Sequence, residues 1–277
     1  GGTGRATFRL TLAGTNRCVF CGQFGLAATA GAPAPSLEVL GAEHDEITFV
    51  GGEPLLVDAL PAHVARAREL GFARIGVETN GYALAERAAA LVDAGLTDVH
   101  LSIHGATAAV HDYHTQEAGS FARIAAALAV LSRLKVTTVA TTVLTRSNFR
   151  VLGELPLWLH TRGIVAWRIS VPRIAGRAAK AVDRVVPRLA LALPYALHAV
   201  GAARSLGLWV GIDGAPLCLL GPFAAQARAG ETRGLGAPCR TCAARSACPG
   251  VDDYYLRRFG GDELYALDQA PRANPPD

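Results

Sequence analysis

The chain has 277 residues, of which 51% are hydrophobic, and a formal net charge of +4. This length suits one large domain or one domain with an appendage. Lysine occurs only at Lys135 and Lys180 and no basic patch is visible, so charge gives no indication of nucleic-acid binding. The longest apolar stretch, from Leu189 to Val200, is interrupted by Pro194 and His198, and no secretory signal is visible. We therefore expect a cytoplasmic protein that binds neither nucleic acid nor membrane.

Short apolar runs alternate with helical patterns over most of residues 7–171. The predicted strands are Thr7–Ala13, Glu46–Val50, Arg74–Glu78, Asp98–Ile103, Lys135–Leu144 and Ala166–Val171. The predicted helices between them are Leu55–Leu70, Ala83–Ala94, Phe121–Leu134 and Arg150–Arg162. Such strand–helix repeats favour a parallel sheet. About six units are visible against the eight of a closed barrel, which predicts an α/β fold with a partial (β/α)6 TIM-like barrel.

The pattern changes after the sixth strand. Pro172–Arg188 is predicted to be a basic connector flanked by prolines. Much earlier in the chain, Ala27–Pro35 is predicted to be a loop that follows the first cysteine pair. A helix at Leu189–Leu206 and a strand at Leu208–Ile212 precede a small cysteine-rich C-terminal extension. We place a domain boundary near Val182, with the barrel in residues 1–182 and, in residues 183–277, the C-terminal helix together with the cysteine-rich extension.

Two motifs near the amino terminus indicate the chemistry. Cys18 and Cys21 are two residues apart, a spacing that suits one metal ion or one iron–sulfur cluster. Without a visible secretory signal, such a pair favours metal or cluster ligation over a disulfide. Gly51-Gly52-Glu53-Pro54 ends the second predicted strand, where open parallel sheets bind ligands. Its glycines leave the backbone open to close approach.

These motifs resemble those of the radical S-adenosylmethionine enzymes, whose loop reads Cys-x3-Cys-x2-Cys. The resemblance continues in the same order through Glu78-Thr79-Asn80-Gly81, Leu101–Gly105, His111-Asp112 and Gly119–Phe121. It implies a [4Fe–4S] cluster on the loop and S-adenosylmethionine bound to the open iron of that cluster. An electron from the cluster then gives a 5′-deoxyadenosyl radical, which abstracts hydrogen from a substrate.

The resemblance also implies site residues. Cys18 and Cys21 would be metal ligands, and the implied cofactor-binding residues are Phe20, Gly51, Gly52, Glu53, Ser102 and Asn148. Many relatives carry an arginine for the cofactor carboxylate a few residues after the His-Asp pair, where this chain has His114 and Thr115. No catalytic residue is assigned, and we expect His104 and His111 to be structural histidines.

Gly14 occupies the position of the first loop cysteine and cannot ligate iron. Three interpretations remain open. The natural loop is degenerate, the residue has been altered, or a water, a small thiol or a remote side chain completes the site.

Four further cysteines form the pattern C-x20-C-x2-C-x5-C at Cys218, Cys239, Cys242 and Cys248. Four thiolates suit zinc or a [4Fe–4S] cluster equally well by count. The resemblance favours an auxiliary [4Fe–4S] cluster of the SPASM or twitch type, with zinc as the alternative. No cysteines remain for a second auxiliary cluster.

The sequence thus leads to three functional hypotheses. The first is a radical S-adenosylmethionine oxidoreductase that oxidises, cross-links or rearranges a peptide or small-molecule substrate and is reduced by a ferredoxin or flavodoxin. The second is a pseudoenzyme that binds S-adenosylmethionine or a peptide as a scaffold. The third is a zinc-stabilised binding protein.

Overall fold

The computed structural model describes residues 4–23, 35–229 and 233–271. The chain divides into two compact units. The first comprises Gly1–Cys18, Gln23–Thr141 and Thr161–Val165, and the second comprises Val19–Gly22, Thr142–His160 and Ala166–Asp277. The domain boundary near Val182 stays a prediction. The loop predicted at Ala27–Pro35 lies outside the described residues except for Pro35.

The first unit alternates strands and helices. Its elements are β1 (Arg5–Thr11), α1 (Leu37–Glu43), β2 (Glu46–Gly51), α2 (Leu60–Glu69), β3 (Arg74–Thr79), α3 (Leu84–Ala94), β4 (Asp98–Ser102), α4 (Ala108–Thr115), α5 (Ser120–Leu134) and β5 (Thr137–Val143, of which Thr137–Thr141 belong to this unit). The strands pair in parallel in chain order, and the α/β class is confirmed.

One face of this sheet is apolar and packs against helices. Phe8 of β1 and Phe49 of β2 meet edge to face, with ring centroids 6.0 Å apart, and both rings lie near His63 of α2. Ile47 and Val77 on the same face are fully buried. Since side chains alternate along a strand, the intervening residues point to the opposite face.

The opposite face of the sheet carries charged side chains. Those at the amino ends of the strands form ion pairs with one another. Arg5 binds Glu46 at 2.8 Å and Asp98 at 2.7 Å, and His100 lies 2.9 Å from the same Asp98 oxygen. Arg5 also donates to Thr48 Oγ1 at 3.2 Å. These contacts join β1, β2 and β4 on one side of the sheet.

The second unit contains the remaining elements. They are α6 (Leu155–His160), β6 (Ala166–Ser170), α7 (Gly176–Lys180), α8 (Val182–Val185), α9 (Leu189–Ser205), β7 (Trp209–Asp213), β8 (Ala227–Arg228) and α10 (Asp253–Phe259), with 3₁₀ turns at Phe149–Glu154, Leu217–Leu219, Gly221–Gln226 and Ala237–Arg240. β6, β7 and β8 pair in parallel in that order.

The amino end of α9 is capped by the C-terminal extension. Tyr255 Oη accepts a hydrogen bond from Leu189 N at 2.8 Å, and Glu263 accepts one from Ala190 N at 2.6 Å. Tyr255 donates to Glu263 at 2.5 Å. These side chains satisfy amide groups that have no partner within the helix.

One helical stretch of the described residues, Val182–Ser205, is long and apolar enough to cross a membrane by length and composition. Half of its most apolar window is buried inside the protein, and one stretch of this kind is weak evidence for a membrane span. The cytoplasmic location stays a prediction.

The six main strands and the strand after α9 were predicted to within two residues at each end. Three other assignments were wrong. The helix predicted at Leu55–Leu70 begins only at Leu60, after a 3₁₀ turn at Pro54–Leu56. Residues 150–162 form a 3₁₀ turn and the short helix α6 instead of one helix, and the connector at 172–188 contains α7 and α8. α1, α4 and α10 were not predicted, because each is only seven or eight residues long and gives little periodic signal.

Candidate functional site

The carboxyl ends of β1 and β2 are held together by backbone bonds at the two glycines. Gly52 N donates to Thr11 O at 2.8 Å, and Glu53 N donates to Ala13 O at 2.7 Å. A Cβ on Gly51 would lie 2.5 Å from Thr11 O, and one on Gly52 would overlap Ala13 O. Gly51 and Gly52 are therefore required for the close approach of the two chain segments.

Glu53 is a buried carboxylate, with only 1% of its surface exposed. It accepts hydrogen bonds from Thr79 Oγ1 at 2.6 Å, Asn80 N at 2.9 Å and Leu55 N at 3.0 Å. Burial raises the pKa of Glu53, although these three bonds oppose the rise. The side chain therefore ties the end of β2 to the end of β3.

The loop after β1 is connected to the same group. Asn80 Nδ2 donates to Thr15 Oγ1 at 2.8 Å, and Arg17 N donates to Thr115 O at 3.0 Å. Gly14 is exposed and does not have a positive φ. A Cβ placed on it would make only ordinary contacts with Gly52, at 3.6 Å or more. The loop therefore has room for a side chain at position 14.

The end of β4 carries Ser102 and a group of buried histidines. Ser102 is half-buried and pairs with Thr141 of β5. His111 Nδ1 accepts from His104 N at 3.2 Å, and its Nε2 lies 3.2 Å from Ser120 Oγ. Burial lowers the pKa of His104, and that of His111 to about 4. The contacts give His111 a structural role, as expected from the sequence.

Asp112 completes this arrangement. Its carboxylate accepts from Gly119 N and Phe121 N, both at 2.8 Å, at the start of α5. The His-Asp pair therefore fixes the turn between α4 and α5. His114 is also buried, and its Nδ1 bonds to Val110 O at 2.6 Å.

Besides the cysteines of the extension, the second unit contains three predicted site residues. Phe20 and Cys21 are half-buried, and Cys21 O accepts from Arg177 N at 2.9 Å. Asn148 is buried, and its side chain accepts from Thr145 N at 2.8 Å and donates to Val143 O at 2.9 Å. Asn148 therefore fixes the turn that follows β5.

The cysteines of the extension line a single cavity of the second unit: Cys218, Cys239, Cys242 and Cys248. Backbone amides point at their sulfurs. Leu217 N and Gly250 N each lie 3.4 Å from Cys248 Sγ, and Leu267 N lies 3.4 Å from Cys242 Sγ. Burial raises the pKa of Cys218, and the nearby Cys248 and Cys239 add to the rise.

The two cysteine groups differ in their fit to a metal centre. Within the described ranges, no three histidine, cysteine, aspartate or glutamate side chains are placed to hold a metal ion as they stand. The extension nevertheless brings four thiols to one cavity with amide donors around them, a donor set that suits zinc or a cluster. The loop offers Cys18, Cys21 and the exposed Gly14, which do not fit a cluster held by three loop thiolates.

Gly51, Gly52, Glu53 and Ser102 all lie at the carboxyl edge of the first unit's sheet, as predicted. The roles of Thr15 and Asn80 were missed. Asn80 stands in a recognised motif, but its bond to Thr15 joins residues 65 positions apart and has no sequence signal. The cofactor and metal roles of the predicted residues stay predictions.

Comparison with known families gives a match to the family model described as "Radical SAM superfamily" over residues 9–150, just over half of the chain. Among curated proteins, a probable GTP 3',8-cyclase of Sulfolobus acidocaldarius is 41% identical over 58 residues, which are 21% of this chain and 18% of that protein. A probable GTP 3',8-cyclase of Methanothermobacter thermautotrophicus is 34% identical over 109 residues, 36% of each chain. The chain thus matches about a third or less of these relatives' length.

Solved structures are similar over a larger share of the chain. Streptococcus suis SuiB bound to the precursor peptide SuiA aligns with a TM-score of 0.60 and 13% identity, covering 79% of this chain and 50% of SuiB. SuiB bound to S-adenosylmethionine gives a TM-score of 0.57 and 12% identity, covering 76% and 47%. The fold is shared, and the partial TIM-like barrel predicted from the sequence is confirmed.

Proposed function

Because the chain belongs to the radical SAM superfamily, we propose that it binds S-adenosylmethionine at the carboxyl ends of its parallel strands. The observation that carries this proposal is the strand end organised by Glu53, where a buried carboxylate holds Thr79 and Asn80 beside the two glycines. Such pre-arranged polar groups at a strand edge are typical of ligand sites.

In this proposal, Gly51, Gly52 and Glu53 lie near the ammonium of the cofactor, and Ser102 bonds the ribose or the carboxylate. Phe20 lies near the adenine, and Asn148 supports the cofactor through the turn after β5. Glu53 acts by fixing the backbone of Asn80, since its oxygens already accept three bonds.

Radical chemistry needs a bound iron–sulfur cluster, and the loop after β1 supplies too few cysteine ligands to hold one. The superfamily uses a [4Fe–4S] cluster, which when reduced provides the electron that cleaves the cofactor. Cys18 and Cys21 alone are too few ligands for such a centre, so we derive no step through it. We propose a radical enzyme if a further ligand completes the loop, and a cofactor-binding scaffold if none does. The exposed Gly14 is the observation that favours the second candidate.

For the extension, we propose one [4Fe–4S] cluster held by Cys218, Cys239, Cys242 and Cys248, with zinc as the alternative. Support comes from the shared cavity and from the amides directed at Cys248 and Cys242. Amide hydrogen bonds to sulfur stabilise thiolates and tune such clusters. If the four cysteines bind zinc and no cluster, the function that follows is that of a zinc-stabilised binding protein.

The substrate we propose is a peptide or a small molecule from which hydrogen is abstracted, leading to oxidation, cross-linking or rearrangement. A peptide is supported by the SuiB structure with its precursor peptide, and a nucleotide by the relatives named GTP 3',8-cyclase. A ferredoxin or flavodoxin would supply electrons.

Calorimetric titration of S-adenosylmethionine into protein freed of iron tests the binding. We expect a dissociation constant in the high-micromolar to millimolar range, because the iron that would chelate the cofactor is absent. In a variant, each 1.4 kcal/mol of lost binding free energy would raise the dissociation constant about tenfold. Glu53→Ala should weaken binding, whereas Glu43→Ala, on an exposed helix end, should not. Undetectable binding at millimolar concentrations would refute the proposal.

A further inference from the structure

Arg233 stands at the closure of the loop that carries three of the four extension cysteines. Gly234 N donates to Val251 O at 2.6 Å, and Val251 N donates to Gly234 O at 3.0 Å. The segment between these two residues contains the second, third and fourth cysteines of the extension. The bridge therefore closes a loop of proposed metal ligands, and Arg233 immediately precedes it.

The Arg233 side chain bonds to three carbonyl groups of this loop. Its Nε donates to Cys248 O at 2.8 Å, and its Nη2 donates to Arg245 O and, at 3.5 Å, to Ser246 O. The guanidinium thus holds the stretch of chain that ends in Cys248, whose sulfur lies near two backbone amides. A planar group with five donors can bind several carbonyls at once, whereas a lysine ammonium offers only a compact point charge.

Arg245 binds the same loop at another cysteine. It lines the cavity of the four cysteines, and its Nη1 donates to Cys239 O at 3.3 Å. Each of the two guanidiniums is therefore bonded to the backbone carbonyl of a proposed metal ligand. Arg240 follows Cys239 directly in the chain, but it is exposed, and its side chain makes no hydrogen bond or ion pair with any described residue.

The charge of this loop suits a negatively charged centre. Residues 233–251 contain three arginines and no aspartate or glutamate, and neither Arg233 nor Arg245 forms an ion pair within the described ranges. Four thiolates around Zn²⁺, or around a [4Fe–4S]²⁺ core, carry a double negative charge. A charge inside a cavity is costly unless nearby groups compensate it, and two guanidiniums supply the matching positive charge.

We propose that Arg233 and Arg245 are positioning residues of the metal centre in the extension. They hold the cysteine loop in its binding conformation and compensate the negative charge of the loaded site. The inference rests on the proposed metal centre and adds two residues that are not ligands. Arg233 acts through its three carbonyl bonds, so lysine cannot replace it. Arg245 acts mainly through its charge, so lysine should replace it in part.

The test uses zinc and iron as probes on the full chain. Competition with a chelator measures the zinc affinity, and the rate of iron loss to a ferrous chelator measures retention after anaerobic reconstitution. Arg233→Gln, Arg233→Lys and Arg245→Gln should each weaken metal binding by about tenfold or more. Arg245→Lys should recover most of the loss seen in Arg245→Gln. Arg240→Gln, which makes the same charge change at an exposed position of the loop, should hold metal as the unaltered protein does.

The outcomes separate this inference from the function on which it rests. If the unaltered protein takes up neither zinc nor iron, the proposed metal centre fails. If it takes up metal and the Arg233 and Arg245 variants hold it equally tightly, the inference alone is overturned.

An equal loss of metal in Arg240→Gln would also overturn the inference, because the effect would then come from the net charge of the loop. Thermal unfolding of the metal-free variants is the check on folding. Lower stability together with unchanged metal affinity would assign the two arginines to the fold alone and overturn their role at the metal centre.

Discussion

Replacing Gly14 by cysteine is the sharpest test of the loop. Gly14 does not have a positive φ, and its added Cβ would meet only Gly52, at 3.6 Å or more. Replacing a glycine in an ordinary backbone conformation restricts the unfolded chain, which typically stabilises by about 0.4–1 kcal/mol. We therefore expect Gly14→Cys to fold as well as the unaltered protein or slightly better.

The functional effect should be much larger. A third thiolate would complete the ligand set with Cys18 and Cys21, so iron after anaerobic reconstitution should rise from about four to about eight atoms per chain. Cleavage of S-adenosylmethionine should rise at least about a hundredfold, equivalent to about 2.7 kcal/mol. The assay is iron and sulfide analysis together with chromatography of 5′-deoxyadenosine after reduction.

Gly14→Ser is the matched control, because it adds the same Cβ with an oxygen in place of sulfur. It should leave iron content and cleavage at the level of the unaltered protein. The reasoning is refuted if the unaltered protein already holds about eight irons, or if it cleaves the cofactor as fast as Gly14→Cys does. Either result would mean that another ligand completes the loop.

Three further outcomes are expected. Cys239→Ala should release the metal of the extension, measured as loss of iron or zinc, while Cys18→Ala should not. Glu53→Ala should lower the free energy of unfolding in urea by about 1–3 kcal/mol, because Thr79 and Asn80 lose a buried acceptor. Burial would raise the pKa of Asp98, but hydrogen bonds from His100 and Arg5 outweigh this effect and lower the pKa. The Asp98 carboxylate therefore stabilises the fold above about pH 3.9, and this stabilisation is lost in stronger acid. Asp98→Asn should cost about 1–3 kcal/mol at neutral pH, because Arg5 is partly exposed and keeps its ion pair with Glu46, and it should make acid unfolding shallower.

The sequence predicted the elements that repeat. β-branched and aliphatic runs such as Ile47–Phe49 form buried strands because one face of the sheet packs against helices. This apolar pattern can be recognised from one sequence alone. Glu53 was assigned to the ligand site from its motif, and its position at the strand edge agrees. What the motif could not give was the direction of the side chain, which points to Thr79 and is buried.

Contacts between distant residues were beyond prediction. The Asn80–Thr15 bond and the amides around Cys248 depend on how separate segments pack, which no local pattern encodes. Short helices such as α10 were missed because seven residues give little periodic signal, even though Asp252 caps the start of α10 by accepting a hydrogen bond from Tyr254 N.

The cap on α9 makes the cysteine-rich extension part of the folding unit of that helix. Tyr255 and Glu263 lie beyond the last cysteine in the chain, yet they hold the amides of Leu189 and Ala190. Metal binding that orders the extension would therefore also suppress local opening at the start of α9, since both depend on the same contacts. Amide hydrogen exchange at Leu189 and Ala190 thus becomes a remote reporter of metal loading, readable in a helix that contributes no ligand.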